Sequence, residues 1–178
     1  MNNSALKTYK SLVEVLQDQG LITKQNSEDI ALRRVKTGET EEDVIRALRL
    51  VSEEDLIKAK AKFLKVPFID LDSTAFSPEA LSLVPESVAQ KYKIVAYRFD
   101  AKTKTLFVTM VNPLDLETLE FLEKKTSLKI SAAMSTEKQI DSFIKEKYIR
   151  EKSITSEVNK ALDERKAEET VTRKTSVW

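Results

Sequence analysis

The strongest constraint on the fold is an internal repeat. Gly20-Leu21-Ile22-Thr23 returns as Arg49-Leu50-Val51-Ser52, and Leu16 returns as Ile45, a period of 29 residues. Each period reads as a helix, a turn and a second helix. In the first, Leu12, Val15, Leu16 and Gln19 share one face, and Gly20 supplies a left-handed stop. Thr23 caps the next helix, which runs through Ile30, Ala31 and Val35 until Gly38 closes it. In the second period Thr40-Glu41-Glu42-Asp43 opens a helix with Val44, Ile45, Ala47 and Leu48 on its apolar face. Ser52-Glu53-Glu54-Asp55 opens another that carries Leu56, Ile57 and Ala59. First-turn acids complement the positive helix end, which explains both acidic triplets more simply than metal or acid–base roles. A helix pair with a single apolar stripe cannot bury it alone, so the copies are expected to pack together as a four-helix unit.

Past Lys65 the pattern changes. Val66-Pro67-Phe68-Ile69-Asp70-Leu71 reads as a strand with an edge proline. Ser77-Pro78-Glu79 starts a helix with Ala80, Leu81, Val84, Val88 and Tyr92 at helical spacing. Ile94 to Arg98 and Thr105 to Val111 flank residues 100–104 as a β-hairpin. Asn112-Pro113 ends that pattern and Asp115 caps a helix carrying Leu116, Leu119 and Leu122. Lys129 to Met134 forms another strand. Ser135 or Thr136 starts a helix with Ile140, Phe143, Ile144 and Tyr148 on one face, and Phe107, Phe121 and Phe143 read as core.

The fold class is therefore α+β: a four-helix tandem helix-turn-helix repeat over 1–62, then a small α/β unit over 63–148 with a hairpin-containing mixed sheet. Residues 149–178 read as a charged helical linker fraying into a disordered tail.

Composition limits the chemistry. The chain has no His and no Cys, which removes the usual imidazole, thiol and zinc sites; no metal site is expected. Its two glycines, Gly20 and Gly38, rule out both G-x-x-x-x-G-K-[ST] and G-x-G-x-x-G phosphate loops. No catalytic residue is assigned. With 30 Lys+Arg against 29 Asp+Glu, no global field draws the chain to nucleic acid. Arg33, Arg34, Arg46 and Arg49 remain a candidate partner or anion site, set against ordinary solvated faces. Lys124, Lys125 and the 145–152 lysines suit acidic headgroups only weakly, because Glu146 and Glu151 are interspersed.

Gly20-Leu21-Ile22-Thr23, Val51-Ser52-Glu53-Glu54-Asp55-Leu56, Val66 to Leu71, Ser77-Pro78-Glu79-Ala80-Leu81 and Val111-Asn112-Pro113-Leu114-Asp115 occur in an order that resembles the N-terminal region of the type II secretion and type IV pilus assembly ATPases. The resemblance covers Leu12 to Tyr148. It implies a cytoplasmic hexameric motor, at the inner face of the cytoplasmic membrane, whose N-terminal part docks onto the inner-membrane platform. ATP and Mg belong to a later motor domain that this stretch does not include. The chain is thus expected to be a non-enzymatic, monomeric, membrane-peripheral fragment; a stand-alone adaptor, a second-messenger receptor and a nucleic-acid binder stay open.

The resemblance also implies a ligand test. Some members bind cyclic di-GMP through two tandem motifs, each with Arg-Leu-Gly, a later Gly and a closing Gln. Here the first copy has Ser11, Leu12 and Val13, then Gly20 and Arg34. The second has Thr40 and Glu42 at the Arg and Gly positions, Arg49 at the later Gly and Phe63 at the Gln. Leu12, Gly20, Arg34 and Arg49 thus mark a degenerate site. Losing one charge-assisted Arg contact per motif removes about 3–6 kcal/mol, or about two to four decades of affinity. No cofactor is expected in this stretch, cyclic di-GMP included.

Overall fold

A computed structural model of the chain describes residues 7–148. Four helices come first: α1 (Leu12–Asp18), α2 (Lys24–Thr37), α3 (Glu41–Ala47) and α4 (Glu53–Leu64). The repeat is carried down to single hydrogen bonds. Ser11, Thr23, Thr40 and Ser52 are the four N-caps, each accepting from the backbone N–H three residues on. The Leu21 N–H donates to the Leu16 carbonyl, and the Leu50 N–H donates to the Ile45 carbonyl. Gly20 and Arg49 occupy the same turn in the two copies, with φ of 71° and 50°.

Leu16, Ile30, Ile45 and Leu56 are buried at the centre of this unit, with Leu12, Val13, Val15, Ile22, Val44 and Ala59 around them. α2 contributes only Ile30. Ala31 is exposed and Val35 is 87% exposed, so the apolar residues of α2 do not form one inward stripe. Leu48 and Ala47 also lie at the surface, because α3 stops at Ala47 and Leu48 becomes its C-cap.

The second unit contains α5 (Pro78–Leu83), α6 (Glu86–Tyr92), β1 (Ile94–Asp100), β2 (Thr105–Met110), α7 (Leu116–Thr126) and β3 (Lys129–Met134). A last helix, α8, occupies 137–148, with the Thr136 hydroxyl accepting from the Gln139 N–H. The sheet order is β1-β2-β3, antiparallel for the hairpin and parallel for β2 with β3, so α7 is the crossover that a parallel pair requires. The ladder shifts register between Ala96 and Arg98, which bulges β1 at Tyr97. Ile94, Val95, Ala96, Leu106 and Val108 pack with Leu81, Val84, Leu122, Ile140, Phe143 and Ile144 into one core.

Further sequence expectations change. The helix read from Ala80 to Tyr92 is two helices. Pro85 has no N–H and pushes Val84 into an extended conformation (φ −119°, ψ 103°), which ends α5 and makes Pro85 the cap of α6. The strand read over Val66 to Leu71 is reduced to one bridge, Phe68 with Met134. The Met134 N–H donates to the Pro67 carbonyl and the Ile69 N–H to the Met134 carbonyl, both at 2.8 Å. Beyond it Asp70 turns the chain, its carboxylate accepting from the Asp72 N–H and the Ser73 hydroxyl. Finally, of the three aromatics read as core, Phe143 is buried, Phe107 is half-buried under the Arg98 guanidinium, and Phe121, beside the Tyr92 ring, is 38% exposed.

The two units meet through a third apolar cluster, in which Ile57 and Ala61 of α4 close on Met134, with Leu64, Val66 and Phe68 beside them. α4 runs to Leu64, so the boundary expected between 62 and 63 falls inside a helix. The linker expected over 149–178 lies outside the described residues.

Arg49 carries a side chain in a backbone conformation that favours glycine. Arg49→Gly should raise stability by about 1 kcal/mol, read as a higher midpoint in urea at unchanged slope.

Candidate functional site

The 29-residue repeat brings the first turns of α1 and α3 to one cleft of about 400 Å³. Ser11 and Leu12 come from the first copy, Thr40, Glu41 and Glu42 from the second. Lys60, Phe63 and Leu64 of α4 form a further wall, and Asn112 and Leu114 enter from the loop after β2. The cleft therefore lies where both repeats and the sheet unit converge. Sequence reasoning took Asn112-Pro113-Leu114-Asp115 as strand termination and helix cap. Asp115 does cap α7 through the Thr118 N–H, yet Asn112 and Leu114 also line this cleft.

The carboxylates of the cleft are engaged by the protein itself. Glu41 Oε2 accepts from the Leu12 N–H at 3.1 Å and the Val13 N–H at 3.4 Å, while its Oε1 accepts from Arg34 Nη1 at 3.0 Å. Ser11 takes the third free donor of that turn, the Glu14 N–H, so the start of α1 is satisfied from two directions. Glu42 bridges α3 to α4: Arg46 Nη2 and Lys60 Nζ each stand 2.7 Å from one of its oxygens. Arg46 also donates to both oxygens of Glu53, and that hydrogen bond is the first cause holding its pKa above the ordinary arginine value. Both glutamates are only about one-fifth exposed (21% and 22%), so these contacts are screened less than surface pairs.

The residues singled out from sequence fall into distinct places. Leu12 and Arg34 meet through Glu41. Gly20 and Arg49 hold equivalent turns, and a Cβ at Gly20 would touch nothing within 4 Å, so its backbone angle, and not a close approach, is what calls for glycine there. Arg33 is bound by Glu39 at 2.9 Å, Arg34 by Glu41 and Arg46 by Glu42 and Glu53. Three of the four arginines of the candidate partner site are thus charge-paired within the unit.

Sequence reasoning missed a second feature. A groove of about 540 Å³ runs along α2, with Leu32, Leu48 and Leu50 as its apolar lining and Asp29, Arg33 and Lys36 among its polar residues. Leu32 is 56% exposed and Val35 stands beside it on the same helix. The available signal was Leu32 itself, off the Ile30 face of α2. Among the described residues no cluster of His, Cys, Asp and Glu could hold a metal ion, and no helix is long and apolar enough to cross a membrane.

Residues 64–154 match the model of the MshEN domain. The chain belongs to the MshEN domain family. This MshEN chain is 27% identical over 127 residues to the type IV pilus assembly ATPase PilB of Thermus thermophilus, a match over 71% of the chain and 14% of PilB. It spans only that small share of its relative. Its fold resembles a solved structure of MshE with cdg, at TM-score 0.61 and 25% identity over 77% of this chain and 98% of that one. The N-terminal domain of XpsE shares the fold, at TM-score 0.52 and 17% identity over 82% and 97% of the two chains. The MshEN domain is the N-terminal domain of type IV pilus and type II secretion assembly ATPases, as the sequence motifs implied. The matched segment begins at Leu64, the last residue of α4, so the paired helical repeats mostly precede it.

Glu42 ties α3 to α4 across the cleft. E42Q should cost about 1 kcal/mol in thermal unfolding at low ionic strength, and the difference should shrink in about 1 M salt, where ion pairs are screened.

Proposed function

We propose that this MshEN domain is a docking module that joins an assembly ATPase to the inner-membrane platform of a pilus or secretion machine, at the cytoplasmic face of the membrane. The observation that carries the reading is the α2 groove. It presents Leu32, Leu48 and Leu50 beside charges of both signs, the chemistry that receives the apolar face of an amphipathic partner helix. The cluster of Ile57, Ala61 and Met134 supports it, because a partner held by α2 acts on a unit packed directly against the sheet. The catalytic work of the parent ATPase belongs to another part of that protein.

A cyclic di-GMP receptor is the second reading, favoured by the likeness to MshE with cdg. Against it stand Ser11 and Thr40 at the two motif arginines, and the carboxylates of Glu41 and Glu42 in the cleft where a diester phosphate would bring negative charge. Docking without the nucleotide is the reading we adopt.

Calorimetry of the chain with the cytoplasmic region of the platform protein from the same organism should give saturable binding. L32E and L48E, both in the groove lining, should weaken it about tenfold or more with the fold retained, since each places a charge in an apolar contact. Unchanged affinity in both variants would remove the α2 groove from the interface. In a parallel titration cyclic di-GMP should give no heat in the micromolar range; micromolar binding would favour the receptor reading.

A further inference from the structure

We propose that Glu41 is an internal latch that closes the two repeats onto each other across the mouth of the cleft, so that the helical unit holds its arrangement with no ligand bound. The inference rests on the docking reading without the nucleotide and goes one step further, to the regulation of the cleft. Leu12 and Glu41 are equivalent positions, 29 residues apart, in the two copies. In the first copy the position is apolar and its side chain is buried. In the second it is a carboxylate that reaches back to the first copy and accepts from the backbone of Leu12 itself and of Val13.

The same carboxylate holds Arg34, at the end of the first repeat. One side chain of the second repeat thus grips the first at its opening helix and near its close. Two backbone donors and one guanidinium converge on a single anion that belongs to the chain. A carboxylate accepting several charge-assisted hydrogen bonds is a strong cross-link between elements that are otherwise held by apolar packing. In this arrangement the two backbone donors at the start of α1 and the Arg34 guanidinium are already engaged by the chain's own carboxylate, so the relative placement of α1 and α3 does not wait on a ligand.

Amide hydrogen exchange resolved by residue tests the latch. In E41A the Leu12 and Val13 amides should lose about ten- to a hundredfold of their protection, while the β2 amides stay as in the wild type. E41Q and R34Q, which keep the size of the side chain or the backbone contacts, should lose less. Wild-type protection at Leu12 and Val13 in all three variants would overturn the latch. If E41A lowers protection everywhere, E41Q and R34Q decide: a loss confined to α1 supports the latch, and none overturns it. A second arm adds cyclic di-GMP to the wild type. Unchanged protection at these amides is expected, whereas protection that rises with nucleotide would mean the donors were still open and would also count against the docking reading. Failure of the platform titration alone leaves the exchange result standing, so the two proposals fail separately.

Discussion

The burial of Leu16 and its repeat equivalent Ile45 in one shared cluster is the constraint on which the rest depends. Both are fully buried, one from each helix pair. Neither pair has enough apolar surface to fold by itself, and α1 and α3 are too short to hold as isolated helices. Bringing the two copies together buries both faces at once. It also sets the first turns of α1 and α3 side by side, which creates the cleft and places Glu41 within reach of Leu12. The site is a by-product of the way the repeat solves its folding problem.

That dependence explains what the sequence made legible. The N-caps, the turn at Gly20 and its counterpart at Arg49, the hairpin and β3 are local features written in neighbouring residues, and they stand where periodicity and capping chemistry put them. The break at Pro85 was also written locally, but the spacing of Leu81, Val84 and Val88 carried the apparent helix through it. The segment from Val66 to Leu71 has the alternation of a strand, yet Pro67 gives no donor and Asp70 forms a turn, so a single bridge is all that survives. The roles of Glu41 and Glu42 were out of local reach. In sequence they are first-turn acids; in space one binds the other repeat and the other binds α4. The one trace of this was a charge at Glu41 where the matching position, Leu12, is apolar.

The electrostatics follow one theme. Near-neutral net charge hides a helical unit in which charges are matched locally, Arg33 with Glu39, Arg34 with Glu41, and Arg46 with Glu42 and Glu53. Matching of this kind leaves little long-range field to steer a polyanion. It leaves shape and apolar surface as the means by which the helical unit distinguishes a partner, and the exposed side of α2 is where such surface collects.

The joint between the units has a mechanical meaning. Met134 is at once the last residue of β3, the pairing partner of Phe68 and the side chain on which Ile57 and Ala61 rest. Contact with the helices therefore falls at the end of a strand, next to the β2–β3 ladder that Met134 closes against Met110. Leu64, Val66 and Phe68 widen that joint, so a displacement of α4 reaches the sheet through the same residues that end β3.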